Sequence, residues 1–390
     1  MYLLENQTRS YAWGSRTLLA DLLGTAVSDE PQAELWIGAH PEFPSGLVDS
    51  EHDLFGLIAS DPSAVLGTQV RAAFGDRLPY LMKVLAVERP LSLQVHPDDA
   101  QASAGFAADR DVPDAERVYK DPNHKAELVY AVTPFEALCG FRPASAARDT
   151  FLEVAHRMPG VREFAQLAHQ LDVPDDATAL RAVCRQIVGL APDEIEVLAD
   201  CLPGAAANST DPSLRVAASL AAAYPRDPAV LLAILMRHVS LAPGEALGVE
   251  PGMPHTYLHG CVVELTTCSD NTIRAGVTPK PTDPEQFLDV LQYRPVASAT
   301  LRARNVGPAE RNYTTGHPEF ELTVVHLAPG LCVQWEPRPR SILVLDGKVS
   351  VTDETGTCEL GCGESVFVPA GAGAVEVKGD GVAVQATTGV

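Results

Sequence analysis

The sequence has no Cys-x-x-Cys pair, no apolar run of transmembrane length and few basic residues for its acidic ones. Its eight cysteines are scattered, and the nearest two, Cys358 and Cys362, have no partnering pair elsewhere. A disulfide framework is therefore not expected, and the thiols are read as reduced and mostly buried. The apolar run near Leu231 to Met236 is closed by Arg237 and His238, well short of the roughly 20 residues a membrane helix needs. Met1-Tyr2-Leu3-Leu4-Glu5-Asn6 shows no basic segment followed by an apolar core, so a cytoplasmic location is expected. With 29 Lys and Arg against 51 Asp and Glu, the formal net charge is −22 and the pI is near 4.8. A field of that sign repels nucleic acid and anionic membrane surfaces, so neither is expected as a partner. Any anionic substrate must be held by a local basic cluster.

What is present is a soluble globular composition, 46% hydrophobic and 21% charged, over 390 residues. That length exceeds one core of ordinary size and predicts two or three domains. The most informative stretch is Leu91-Ser92-Leu93-Gln94-Val95-His96-Pro97-Asp98-Asp99. Strand periodicity puts Leu91, Leu93 and Val95 on one face and Ser92, Gln94 and His96 on the other. Pro97 cannot continue a central strand, so His96 should sit at its end, where a half-open barrel or sandwich holds ligands. Gln94 and His96, two apart, could grip one ion; an ordinary amphipathic strand facing water would read the same.

The neighbouring segments extend this pattern. Tyr11 to Pro41 reads as strands and loops of a β-domain. Leu81 to Val87 reads as a buried strand whose Lys83 either snorkels to the rim or points into a polar cavity. In His124 to Val132, Lys125, Glu127 and Val129 share a face, as a site pair or a surface pair. From Ser145 the texture turns Ala- and Leu-rich at helical spacing. Helices are expected over 145–158, 161–171, 176–190, 192–201 and 211–224, several opened by Asp, Ser or Pro caps. This block should cover one side of the active-site mouth without supplying ligands. Beyond Val239 two tight turns deliver His255 onto a strand on which Tyr257 and His259 share a face. A hairpin is then expected, with Glu264 on one arm and Arg274 on the other. From Phe320 short strands, with turns at Asp346-Gly347 and Gly379-Asp380-Gly381, predict a compact sandwich or barrel.

Gln94, His96, Glu127 and His255 offer two nitrogens and two oxygens that suit a catalytic zinc, and a single carboxylate leaves such a centre net positive and Lewis acidic. At this point the sequence resembles the type I mannose-6-phosphate isomerases of the cupin superfamily. The resemblance rests on Tyr11-Ala12-Trp13-Gly14-Ser15, Glu34 to Pro41, Leu91 to Asp98, His124-Lys125-Ala126-Glu127, Pro254 to Leu258 and Ser269 to Lys280, in family order around a helical insertion. It departs from the family at Ala126 and Glu250, where Pro is usual, and at Leu265-Thr266-Thr267. Gly363, Pro369 and Gly371 have the spacing of the second cupin turn, but Ala374 stands where a metal-binding His would be.

The resemblance implies one zinc per chain on Gln94, His96, Glu127 and His255. It implies a sugar-phosphate site lined by Ser92, Lys125, Arg274 and Lys280, with Glu264 and Asp270 beside it. The activity implied is aldose–ketose isomerisation of mannose 6-phosphate and fructose 6-phosphate through a cis-enediol, with Glu264, Lys125 and Asp270 as possible bases and Arg274 stabilising the oxyanion. The fold implied is mainly β with an α-helical insertion: a cupin-like β-barrel or jelly-roll catalytic domain (1–143 and 238–305), the insertion (144–237) and a second, structural cupin-like domain (306–390). A monomer with no second metal cluster is expected. A metal-dependent oxygenase would favour iron on two His and one carboxylate, and a non-catalytic sugar-phosphate sensor would share the fold.

Overall fold

The structure is a computed structural model that describes residues 1–113 and 116–390. Among these residues the β structure forms two sheets of eleven and ten strands. The axis of the larger sheet is the strand His255–Thr267. Its later residues lie between Tyr80–Val87 and Glu127–Ala131. Its first residues pair instead with Leu93–Val95 and Phe135–Phe141. The hand-over between these two half-sheets falls where the register slips between Tyr257 and His259. Gly260 follows at φ +116°, where an added Cβ would lie 2.4 Å from the Pro134 carbonyl oxygen. A side chain there would block the bend, so only glycine lets one strand serve both half-sheets.

Neither sheet closes on itself, and every pairing between the named strands is antiparallel. The expected barrel is thus a pair of open sheets accompanied by helices. They share one apolar core, in which Leu35, Val84 and Val263 meet Leu322, Leu343 and Phe367. The first strand, Tyr2–Glu5, pairs with Ser365–Val368 near the other end of the chain.

Helices occupy the Ala- and Leu-rich stretch, at Ala144–Arg157, Glu163–Gln170, Asp176–Val188, Pro192–Ala206 and Pro212–Ala223. Asp175 and Asp211 cap two of them by accepting from backbone N–H groups. Their apolar faces enclose Phe151, Phe164, Leu180 and Leu202, and this core continues into Leu93, Val95 and Ile273 of the sheet. The block therefore backs the strands from behind. It contributes no residue to the lining of the cleft described below, so it does not flank the mouth as expected. At its root Arg142 donates to Asp211 at 2.7 Å and to Thr150 at 2.6 Å.

Three local expectations fail for identifiable reasons. Residues 18–23 are a helix, Leu18–Leu23, because Leu19 and Leu22 must reach a common core, which a short apolar run does not reveal. Ile273–Gly276 pairs with Leu93–Val95 rather than folding back as a hairpin on the His255 strand. Asp346-Gly347 and Gly379-Asp380-Gly381 are not turns; they lie inside the long strands Arg340–Asp353 and Val375–Thr387. There Gly347 is paired with Gly381 and Val349 with Gly379, and a Cβ at Gly347 would lie 2.1 Å from the Asp380 carbonyl oxygen. These glycines permit close backbone approach at a bulge, a use of glycine that sequence cannot separate from a turn.

Gly347 also has φ +76°, so Gly347→Ala should cost about 1–3 kcal/mol from backbone strain alone, with the carbonyl clash added. Urea denaturation measures this, and an unchanged midpoint would mean that the strands do not approach there as described.

Candidate active site

Period-two alternation and cross-strand register assemble the site. In one half-sheet Arg274 and His255 both lie opposite Gln94 on adjacent strands, which puts the three side by side on one face. In the other, Trp36 and Glu264 both lie opposite Lys83. Lys83 therefore points into a polar cavity: its Nζ lies 3.5 Å from Glu264 Oε2 and 4.7 Å from the centre of the Trp36 ring. Burial works against its charge, but Glu34 and then Glu264 hold its pKa well above the usual lysine value.

Between the half-sheets lies Glu127, 1% exposed. His96 Nε2 is 3.0 Å from its Oε1, His255 Nε2 is 3.5 Å from its Oε2, and Lys125 Nζ is 3.0 Å from Oε1. The Tyr257 hydroxyl donates to Oε2 at 2.6 Å. Burial raises the Glu127 pKa, yet Lys125 and then His96 outweigh it and keep the carboxylate ionised well below its usual range. Tyr257 is pushed the other way, far above the usual phenol value, by burial and then by the Glu127 charge.

The two imidazoles have fixed tautomers. His96 Nδ1 faces the Asn271 carbonyl at 2.8 Å and His255 Nδ1 faces the Met253 carbonyl at 3.0 Å. A carbonyl only accepts, so both Nδ1 atoms carry the proton and both Nε2 lone pairs turn inward. Burial and then the Lys125 charge lower the His96 pKa to about 3, and burial lowers that of His255, so neither ring is cationic near neutral pH. Unprotonated His96 Nε2 and His255 Nε2 thus converge on an ionised carboxylate. Gln94 faces His255 Nε2 at 3.1 Å through its amide nitrogen, with its oxygen on the Ser92 hydroxyl at 3.1 Å; a half-turn of that amide presents oxygen instead. His96, Glu127 and His255 could hold a metal ion, each imidazole backed by a carbonyl as metal-bound histidines usually are.

Above this cluster opens a cleft of about 1410 Å³. Ser92, Gln94, Lys125, Glu127, Glu264, Asp270, Arg274 and Lys280 all line it, while His96 and His255 lie beneath at 0% exposure. Every site residue expected from sequence therefore belongs to one neighbourhood. Glu264 is raised to about 7, by burial first and the Glu127 charge second. Asp270 is held below its usual value because His40, 3.0 Å away, outweighs burial. At the mouth Lys280 Nζ lies 4.2 Å from the centre of the Tyr11 ring.

Sequence reasoning missed three groups. Tyr257 buttresses Glu127, whereas His259, expected on its face, is exposed because of the register slip. Asn271 is fully buried. It accepts from Lys120 N at 2.7 Å and donates to the carbonyls of Asp121 at 2.8 Å and Asn123 at 2.9 Å, while its own carbonyl holds His96. Asp227, from the helical block, accepts from Val277 N at 2.6 Å. That bond holds Val277 at φ +58°, a conformation costly for a β-branched residue, and with it the segment between Arg274 and Lys280. A second group, His124, His317 and Glu319, also comes together, against the expectation of none.

These features define a class: an enzyme-like cleft lined by both cations and carboxylates over a buried two-histidine, one-carboxylate cluster, on open antiparallel sheets. The family profile described as phosphomannose isomerase type I, catalytic domain, matches residues 1–144. Mannose-6-phosphate isomerase of Escherichia coli (strain K12) is 34% identical, with 98% of each chain covered. Mannose-6-phosphate isomerase 1 of Arabidopsis thaliana is 33% identical over 87% of this chain and 81% of that one. A crystal structure of a variant phosphomannose isomerase from Salmonella typhimurium matches with a TM-score of 0.91 at 31% identity, covering 100% of both chains. A structure of mannose 6-phosphate isomerase bound with zinc and yttrium matches equally well, at 31% identity with a TM-score of 0.91. The chain belongs to the type I mannose-6-phosphate isomerases.

Asn271→Ala removes hydrogen bonds made at 0% exposure and should destabilise the fold by about 2–4 kcal/mol. Thermal or denaturant unfolding of the purified variant measures the loss, and wild-type stability would show that the turn does not depend on this side chain.

Proposed function

We propose that the cleft interconverts mannose 6-phosphate and fructose 6-phosphate through a cis-enediol, with one zinc ion at Gln94, His96, Glu127 and His255. The observation that carries this reading is the convergence of unprotonated donors beneath a cleft in which Lys125, Arg274 and Lys280 stand together, an arrangement that asks for a metal ion below and an anion above. When bound there, zinc would supply Lewis acidity toward the sugar oxygens. The protein's own residues do the rest. Arg274, beside Gln94 in the ladder, meets the negative charge that develops on the enediolate. Lys280, at the mouth, holds the phosphate, so an acidic protein binds an acidic substrate through a local cluster. Ser92 and Lys125 orient the sugar.

Glu264 is the base that carries the C2 proton to C1. Its value near 7 suits proton transfer at neutral pH, whereas Lys125 is engaged by Glu127 and Asp270 by His40. We further read residues 1–143 and 238–305 as the catalytic unit, 144–237 as its helical insertion and 306–390 as a C-terminal unit, with the two sheets as open relatives of cupin jelly-rolls.

A coupled assay of fructose 6-phosphate formation should lose its activity in chelator and regain it with zinc. Full turnover after metal removal refutes the metal's role, and substrate binding without turnover would mark a sensor. Arg274→Ala should lower kcat by orders of magnitude, while Lys280→Ala should mainly raise KM; a raised KM with unchanged kcat in Arg274→Ala would make that arginine a clamp only. For the base, activity should rise with pH as Glu264 loses its proton, giving an acidic limb at or below about 7, since a nearby cation favours the ionised form. That limb should vanish from the residual activity of Glu264→Gln, and an unaltered profile would assign the base elsewhere.

A further inference from the structure

We propose a second zinc site, apart from the active site, made by His124, His317 and Glu319. One donor atom from each lies within 4.8 Å of the others. His124 Nε2 is 3.8 Å from Glu319 Oε1, and the two rings face each other with centroids 5.2 Å apart. Zinc bonded at about 2.0–2.1 Å to nitrogen and oxygen spaces tetrahedral ligands about 3.3 Å apart, so a small closure of these side chains completes the set.

Two observations distinguish this group from a surface cluster. First, His124 Nε2 and Glu319 Oε2 are buried and have no hydrogen-bond partner, a costly state for a lone pair and a carboxylate oxygen. Secondly, each imidazole is already backed by a carboxylate. His124 Nδ1 lies 2.8 Å from Asp99 Oδ1, and His317 Nε2 lies 2.8 Å from Glu250 Oε2. Each contact fixes the proton on the nitrogen that makes it and leaves the other free, which is how histidines are prepared for a metal.

Two imidazoles and a carboxylate select a zinc-type dication over calcium or magnesium, which favour oxygen ligands. The ion would tie the loop ahead of Lys125 and Glu127 to the segment leading into the strand Glu321–Leu327, coupling the active-site loop to the C-terminal sheet. With three protein ligands and partial exposure, it should release zinc to a weak chelator before the active site does.

The test is elemental analysis of the full-length protein, loaded with zinc and freed of excess by gel filtration. Two zinc ions per chain are expected in wild type and one each in His317→Ala and Glu319→Gln, both keeping turnover within about twofold. Glu250→Ala should weaken the second zinc about tenfold, and zinc should raise the Tm of wild type more than that of Glu319→Gln. One zinc per chain in wild type, absent from His255→Ala, overturns this proposal and leaves the active-site reading intact. One zinc that survives His255→Ala but is lost from Glu319→Gln supports this site and overturns the active-site zinc. Two zinc ions in wild type and still two in Glu319→Gln overturn it as well.

Discussion

The interaction on which the site depends is the burial of one ionised carboxylate. Glu127 has almost no access to water, and an unpaired charge in such a place would cost several kcal/mol. The Lys125 ammonium and the donating Tyr257 hydroxyl make it tolerable, and they come from different parts of the chain. That charge gives the cluster its character as a metal site, because the inward lone pairs of His96 and His255 join it as donors for a cation. It also explains why neighbouring Glu264 cannot ionise as easily as a free carboxylate, since two buried negative charges would face each other.

A single strand makes this convergence possible. Because His255–Thr267 changes partners midway, His255 sits beside Gln94 in one half-sheet while Glu264 sits beside Lys83 in the other. The bend at Gly260 turns two flat ladders into the walls of a cleft. The helical block then packs behind Leu93, Val95 and Ile273, stiffening the strands that carry Gln94 and Arg274 without entering the cleft. It reaches toward the chemistry through Asp227, which holds a strained backbone next to Arg274.

The protein is strongly acidic, yet its cleft is lined by Arg9, Lys83, Lys125, Arg274 and Lys280. The net charge opposes polyanions, whereas the cations lining the cleft suit the small anion proposed above. The two statements are compatible because screening confines exposed charges to about 8–10 Å, and those in the cleft act at contact distance.

The sequence by itself determined which donor and charged side chains are available and how they are locally spaced. Residue types and local spacing are properties of the chain, so the Gln94–His96 pair, the Lys125–Glu127 pair, His255 and the Arg274–Lys280 segment could be read directly, as could the helical block from its 3.6-residue period. Only the tertiary structure decided what lies opposite what. Asn271 and Tyr257 serve the site through contacts that no local pattern encodes, and Glu250 meets His317 from 67 residues away. The glycines of the C-terminal sheet carry the same ambiguity, because a glycine that permits a turn and one that permits two backbones to touch are identical in sequence. Register and long-range packing, which depend on the whole chain at once, separate them.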